Sequence, residues 1–374
     1  MSKIKNKFIT CFSEGTCLRR GVIIVAYTSI LCCMLYAPKL VTLFRTDTPT
    51  LNVYVFSDII MTHAFQKFES ETGIQVNVKR FDSNEELMSQ FRFNRGEGYD
   101  LIAPSDYMVE TMHKEGLLAP IDTDKIERFT RLDNRLKNKQ FDPENKYSVP
   151  YAWSTVGIGF NKKFFAEKYP TSWRWIFEPP KSNGEKDFKI CLTEDSREIA
   201  FLANIYLHGN VSGFEDKTVR SEIRRTLVKQ HQWVESYTDS DLRYFLESEI
   251  VPLVLINSGR MARIISNSDE FDFAVPDEGT VITIENFAIP ATSNRKELAQ
   301  KLIDFLLSRE TSVETYNECG FNPANQRAYA DIDKSVTDNK SFFPDDEIFE
   351  RLFIMHNNIP SEYISNLWID VRIR

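Results

Sequence analysis

Leu51-Asn52-Val53-Tyr54-Val55-Phe56 puts apolar residues at alternate positions, the period of a strand with one buried face. The next stretch changes period. Met61, Phe65 and Phe68 fall on one face of a helix that ends before Gly73, since glycine enters left-handed backbone without steric penalty. Ile74, Val76 and Val78 alternate again. Ser83-Asn84-Glu85-Glu86 is a capping box opening a second helix, with Leu87, Met88 and Phe91 facing inward. Asp100-Leu101-Ile102-Ala103 is a short strand, and Pro104-Ser105 starts a helix carrying Met108, Val109 and Met112 that stops at Gly116. Strands and helices in strict alternation are the signature of a mainly parallel sheet covered by helices, so the fold class is α/β.

Working outward, the alternation resumes after the middle of the chain. Residues 188–193, 252–257 and 271–276 read as strands and residues 196–208 as a helix. Asn294 with Glu297 caps a helix bearing Leu298, Leu302, Phe305 and Leu306. At 374 residues the chain exceeds one ordinary core. Neither an internal repeat nor a Gly/Ser linker separates the two α/β units. Two lobes joined by hinge strands are therefore expected.

Composition narrows the function. Apolar content of 42% with 27% charged residues is that of an ordinary globular protein. A net charge of -8 argues against nucleic acid, whose phosphates select basic surfaces, and suits a cationic ligand. Lys3, Lys5, Lys7, Arg19 and Arg20 precede an uncharged, mostly apolar run over residues 21–38, the order of an export signal. The positive-inside rule keeps the basic end in the cytoplasm and sends the chain beyond the apolar run across the membrane. Leu35 is too large for the cleavage site that Ala37 would mark, and Pro38 would come directly after the cut. Residues 1–45 are accordingly expected to be a signal or membrane-anchor segment, retained rather than removed. Cys191 and Cys319 lack metal-type spacing and are expected to be buried free thiols. Nucleophile elbow, His-Glu-x-x-His and phosphate-loop motifs are all missing, so no catalytic residue, metal or cofactor is expected.

A series of short motifs then carries a resemblance. Glu71-Thr72-Gly73-Ile74-Gln75-Val76, Tyr99-Asp100-Leu101, Pro104-Ser105 and Lys114-Glu115-Gly116 come first. Phe141-Asp142-Pro143, Tyr147-Ser148-Val149-Pro150-Tyr151-Ala152-Trp153, Gly157-Ile158-Gly159 and Thr171-Ser172-Trp173 come next. Leu192-Thr193-Glu194-Asp195-Ser196-Arg197-Glu198, Ala288-Ile289-Pro290 and Leu302-Ile303-Asp304-Phe305-Leu306-Leu307 complete it. In this order, from about Leu51 to about Asp346, the chain resembles the spermidine/putrescine-binding subunit of bacterial ABC importers.

The resemblance implies a two-lobed periplasmic-binding-protein fold (type II-like) with a ligand cleft that closes by hinge motion. Residues 51–156 plus 285–325 would form lobe 1, and residues 157–284 plus 326–374 lobe 2, with crossings near Val156 and Ile284. It further implies a monomeric, non-enzymatic periplasmic receptor for a polyamine, feeding an ABC permease in the inner membrane, with the N-terminal segment touching that membrane. A polyamine is an apolar chain with spaced ammonium groups, so its receptor needs separated carboxylates between aromatic or apolar walls.

Family positions point to Phe56, Ser57, Asp58, Ser105, Tyr107, Asp195, Glu198, Glu285 and Phe321. Each has a plainer reading. Asp58 and Ser105 are also helix caps, Asp195 and Glu198 also offset a helix dipole, and Glu285 is also a surface acid. There are departures too. Ile59 stands for a Tyr, Thr283 for a Trp, Phe321 for a Tyr, and Ile256 or Asn257 for another Trp. Near Ile354-Met355 there is no counterpart to a ligand-contacting Gln. Asp106 adds an acid where the family has a neutral residue, either as extra negative charge or facing solvent. A receptor for another small cationic or polar solute, or a sensor or scaffold on the same fold, is the alternative.

Overall fold

Leu51, Val53 and Val55 are completely buried and Tyr54 nearly so. Strand β1 (Thr50–Phe56) is therefore a central strand rather than the half-exposed one its alternation suggests. In the computed structural model, which describes residues 19, 21–32, 34, 48–57, 59, 61–165, 168–178, 188–266, 268–357 and 359–373, β1 lies between β2 (Gln75–Phe81) and β3 (Leu101–Ile102), parallel to both. The helix Thr62–Thr72 between β1 and β2 ends on Gly73 with φ of 70°. Ser83 caps Asn84–Phe93, its Oγ accepting the Glu86 N–H. Glu86 reaches back to the Asp82 N–H, closing the box one residue early.

The remaining strands are β4 (Ser148–Asn161), β5 (Ile190–Leu192), β6 (Val234–Tyr237), β7 (Leu253–Asn257), β8 (Phe271–Ala274), β9 (Thr280–Ala288), β10 (Asn322–Pro323) and β11 (Leu352–Ile354). The sheet order is β2-β1-β3-β9-β4-β7-β5-β6, with β8 and β10 on β4 and β11 on β9. β4 is 14 residues long and buried throughout. Ser148 to Thr155 pairs antiparallel with β9, and from Val156 onward β4 pairs with β7. One strand thus belongs to two sheet regions.

Two main apolar clusters match this division. One gathers Leu51, Phe68, Val109, Trp153, Phe287 and Leu302, and the other gathers Phe160, Trp173, Phe201, Leu253 and Leu367. The fold is mixed α/β and two-lobed. The helix Ser196–His208 runs from Asp195 to a left-handed Gly209. The helix expected from Asn294 begins instead at Lys296 without a side-chain cap, because Ser293 already accepts the Arg295 N–H. Cys191 and Cys319 are buried free thiols.

Residues up to Pro49 form a unit of their own. Residues 21–32 are helical and exposed. Among the described residues, no helix is long and apolar enough to cross a membrane.

Candidate functional site

The carboxyl ends of β1, β2, β3, β5, β6 and β7 converge on one cavity of about 680 Å³. Open α/β sheets bind ligands there, because loops and helix N-termini gather at those ends. Phe56 closes β1, Asp82 and Glu85 come after β2, and Ser105 and Tyr107 after β3. Thr193, Asp195 and Glu198 come after β5, Asp239 after β6, and Asn257 ends β7. Thr283 and Glu285, two apart on β9, turn the same face to the cavity.

Glu285 is 6% exposed. Ser105 pairs with it as an isolated antiparallel bridge, and the Ser105 Oγ donates to its carboxyl at 3.1–3.2 Å. Ser105 therefore makes no side-chain cap to its own helix, Asp106–Lys114, although it sits at the cap position. Asn84 holds it from behind: Asn84 Nδ2 donates to Ser105 Oγ at 3.1 Å, and the Ser105 N–H donates to Asn84 Oδ1. Burial, with the nearby Asp106 carboxyl, pushes Glu285 up to about 8. Asp106 does not face solvent. It is fully buried and accepts the Ile284 N–H at 3.0 Å and the Tyr107 N–H at 2.7 Å.

Asp195 does cap its helix, its Oδ1 accepting the Arg197 and Glu198 N–H groups at 2.8 and 3.1 Å. Asp195 stays open to the cavity, where the loss of bulk water and the nearby Glu85 raise its carboxyl above the usual range. Glu198 is half-buried, and its carboxyl is raised well above that range by desolvation, then by Asp195 and Asp239, against Arg260. Among the described residues, neither Glu198 nor Glu285 has an ion-pair partner. Asp239 is tied down by contrast. It accepts from Thr193 Oγ1 and the Glu194 N–H and pairs with Arg260 at 3.0 Å.

Of the residues expected from sequence, Phe56, Ser105, Tyr107, Asp195, Glu198, Glu285 and Phe321 line this one cavity. Ser57 lines an adjoining cavity of about 1090 Å³ that shares Phe56, Asp82, Asp239 and Arg260 with it. Asp58 lies outside the described residues. Ile59, Ile256, Asn257, Thr283 and Met355 also line the cleft, so the departures from the family pattern fall on its walls. Sequence reading missed Asp82, Glu85, Glu194, Asp239, Arg197 and Arg260. Their proximity to strand ends was the available signal for most of them. Seven carboxylates and two guanidiniums thus face one space: Asp82, Glu85, Glu194, Asp195, Glu198, Asp239 and Glu285 against Arg197 and Arg260. Among the described residues, no group of three or more His, Cys, Asp or Glu could hold a metal ion.

This two-lobed α/β body with an acid-lined cleft defines a solute receptor. Residues 63–344 match the family described as bacterial extracellular solute-binding protein, and the chain belongs to it. It is 30% identical over 307 residues to the spermidine/putrescine-binding periplasmic protein of Salmonella typhimurium, covering 82% of this chain and 86% of that one. Two solved structures are also similar. A putative spermidine/putrescine ABC transporter from Listeria monocytogenes has a TM-score of 0.77 at 28% identity, covering 87% of this chain and 99% of that one. A spermidine/putrescine ABC transporter substrate-binding protein from Streptococcus pneumoniae has a TM-score of 0.75 at 26% identity, covering 87% and 98%.

Proposed function

We propose that this chain is the substrate-binding receptor of an ABC importer and closes its cleft on a polyamine such as spermidine or putrescine. The observation that carries this reading is the cleft's charge: seven carboxylates against two guanidiniums, with Glu198 and Glu285 unpaired among the described residues. A buried carboxylate without a cation is costly, and a ligand ammonium supplies the missing partner. Relatives named for spermidine and putrescine support the same ligand class. In this reading Glu285, Asp195, Glu198 and Asp58 hold ammonium groups, Ser57 and Ser105 orient them, and Phe56, Tyr107 and Phe321 wall the methylene chain. The ligand is released unchanged to a permease.

The lobes comprise residues 51–156 plus 285–325 and 157–284 plus 326–374, hinged at β4 and β9. The passage of β4 from β9 to β7 at Val156 supports this division. Residues 1–45 export the chain or tether it to the inner membrane, and the receptor works there as a monomer.

Calorimetric titration with spermidine, putrescine and cadaverine tests the ligand. At least one should bind, and Glu285→Ala should weaken it by about 10- to 100-fold, the loss of a charge-assisted hydrogen bond. A silent panel, or an unchanged affinity in Glu285→Ala, overturns the assignment. Ile59 and Thr283 on the walls favour a second reading, a different small cation that needs fewer stacking faces. Binding of a non-polyamine cation alone would select it.

A further inference from the structure

We propose that Asp106 is a specificity-determining residue of the cleft, a buried second carboxylate behind Glu285 that makes capture of an ammonium group release a proton. The inference rests on the cation-binding reading above. Asp106 is 0% exposed, and each of its two oxygens accepts one backbone N–H, from Ile284 and from Tyr107. Such donors favour the ionised form. Glu285 has a weaker arrangement. Among the described residues its carboxyl receives only the Ser105 hydroxyl, a group that can equally accept from a protonated carboxyl.

Among the described residues, no cation compensates the pair. Glu285 meets Asp106, Tyr151 of β4, and Cys319 at the end of helix Arg309–Cys319. Burial holds that phenol and that thiol neutral, the thiol pushed up to about 12. Asp106 meets Glu285 and, one turn along its own helix, Glu110. Glu110 is already engaged by Lys114 at 2.6 Å and lies 3.6 Å from His356. Two interacting buried carboxyls without a cation do not both ionise. The N–H donors keep the charge on Asp106, so the empty cleft carries its proton on Glu285. Burial raises both groups, Asp106 to about 7 and Glu285 to about 8, which agrees with this ordering.

An arriving ammonium reverses the balance. It neutralises the pair, Glu285 ionises, and its proton leaves to solvent. An uncharged amine or alcohol of the same shape cannot drive that step, so Asp106 adds discrimination for a full cation at the Glu285 end.

Putrescine is the suitable probe, because primary ammonium groups stay protonated below about pH 9. Calorimetry of the full chain at pH 7 in phosphate and in Tris, which differ in ionisation heat, gives the number of protons exchanged. The expected wild-type result is release of about one proton, with affinity falling about tenfold per pH unit below pH 7. Asp106→Asn leaves Glu285 buried but removes the neighbouring charge, so it should release fewer protons than wild type and lose less affinity between pH 7 and pH 6. Binding by wild type without proton release overturns the inference and leaves the cation-binding reading intact. Absence of binding by every amine overturns that reading itself. If Asp106→Asn does not fold, the wild-type buffer comparison and pH profile still decide, with Glu285→Gln expected to exchange no proton.

Discussion

The guanidinium of Arg197, in the first turn after β5, lies 6.0 Å from the ring centre of Tyr107, which comes after β3. Arg197 also donates to Asn357 Oδ1, and Asn357 in turn donates to Thr111 Oγ1 on the Tyr107 helix at 2.9 Å. The two sides of the cleft mouth are thus tied by one cation among many acids. Arg197 opposes an incoming polycation while helping to hold this shape.

For ligand approach, the repulsive effect should win at low salt. Arg197→Gln is expected to raise the association rate of spermidine by about two- to fivefold at about 0.01 M salt, where the Debye length is about 30 Å. The gain should vanish near 1 M salt. Stopped-flow tryptophan fluorescence measures it, and a slower rate at low salt would mean that the bridge matters more than the charge.

The stability of the unliganded protein should fall as pH rises through neutrality. Asp106 and Glu285 have folded pKa values above the ordinary carboxylate range. The folded state therefore binds more protons than the unfolded one between about pH 4 and 8, and the stability they contribute is lost as pH rises through about 7 and 8. Asp331, Asp333 and Asp345 are shifted down and lose their contribution only in stronger acid, outside this window. Scanning calorimetry should show the Tm dropping by roughly 5 °C from pH 5 to pH 8.5, with a flatter profile for Glu285→Gln. A Tm that rises across this range would contradict the assignment of these protons.

Rebuilding a wall should tighten binding. Thr283 lines the cleft two residues before Glu285, at a position where the resembled family carries an indole. A Trp there adds a face worth about 0.5–2 kcal/mol to a nearby ammonium, or about 2- to 30-fold in affinity. Titration of Thr283→Trp with spermidine checks this. No gain would indicate that the amine lies away from β9.

Much of the fold was legible because its signals are local. The helix read over residues 196–208 is Ser196–His208 in the structure, bounded by the Asp195 cap and the left-handed Gly209. Gly73 stopped its helix for the reason sequence gives, a left-handed backbone. Strand lengths were less legible: residues 188–193 shrink to Ile190–Leu192, since pairing depends on neighbours far along the chain. The same limit governs the cleft. Ser105 resembles a cap until Glu285, 180 positions away, takes its hydroxyl. Whether Asp106 meets water depends on the Ile284 N–H, 178 positions away. Burial of that kind leaves no periodic trace.

One backbone approach supports a wall of the cleft and admits a sharp test. Gly320 ends the helix Arg309–Cys319 with φ of 77°, its N–H donating to the Tyr316 carbonyl at 2.7 Å. A Cβ on Gly320 would lie 2.2 Å from the carbonyl oxygen of Gly259, in the first turn of helix Ser258–Ile265. Gly320→Ala combines an unfavourable left-handed residue with a backbone clash, and should destabilise by about 2–4 kcal/mol. Phe321, the next residue, lines the cleft, so the displacement should also weaken polyamine binding. Gly259→Ala meets Gly320 and Phe321 backbone atoms at 3.1–3.2 Å without a positive φ, and should be the milder of the two. Urea unfolding with parallel ligand titrations separates the effects. If Gly320→Ala matches wild type in both, the close approach of these two glycines is not what positions Phe321.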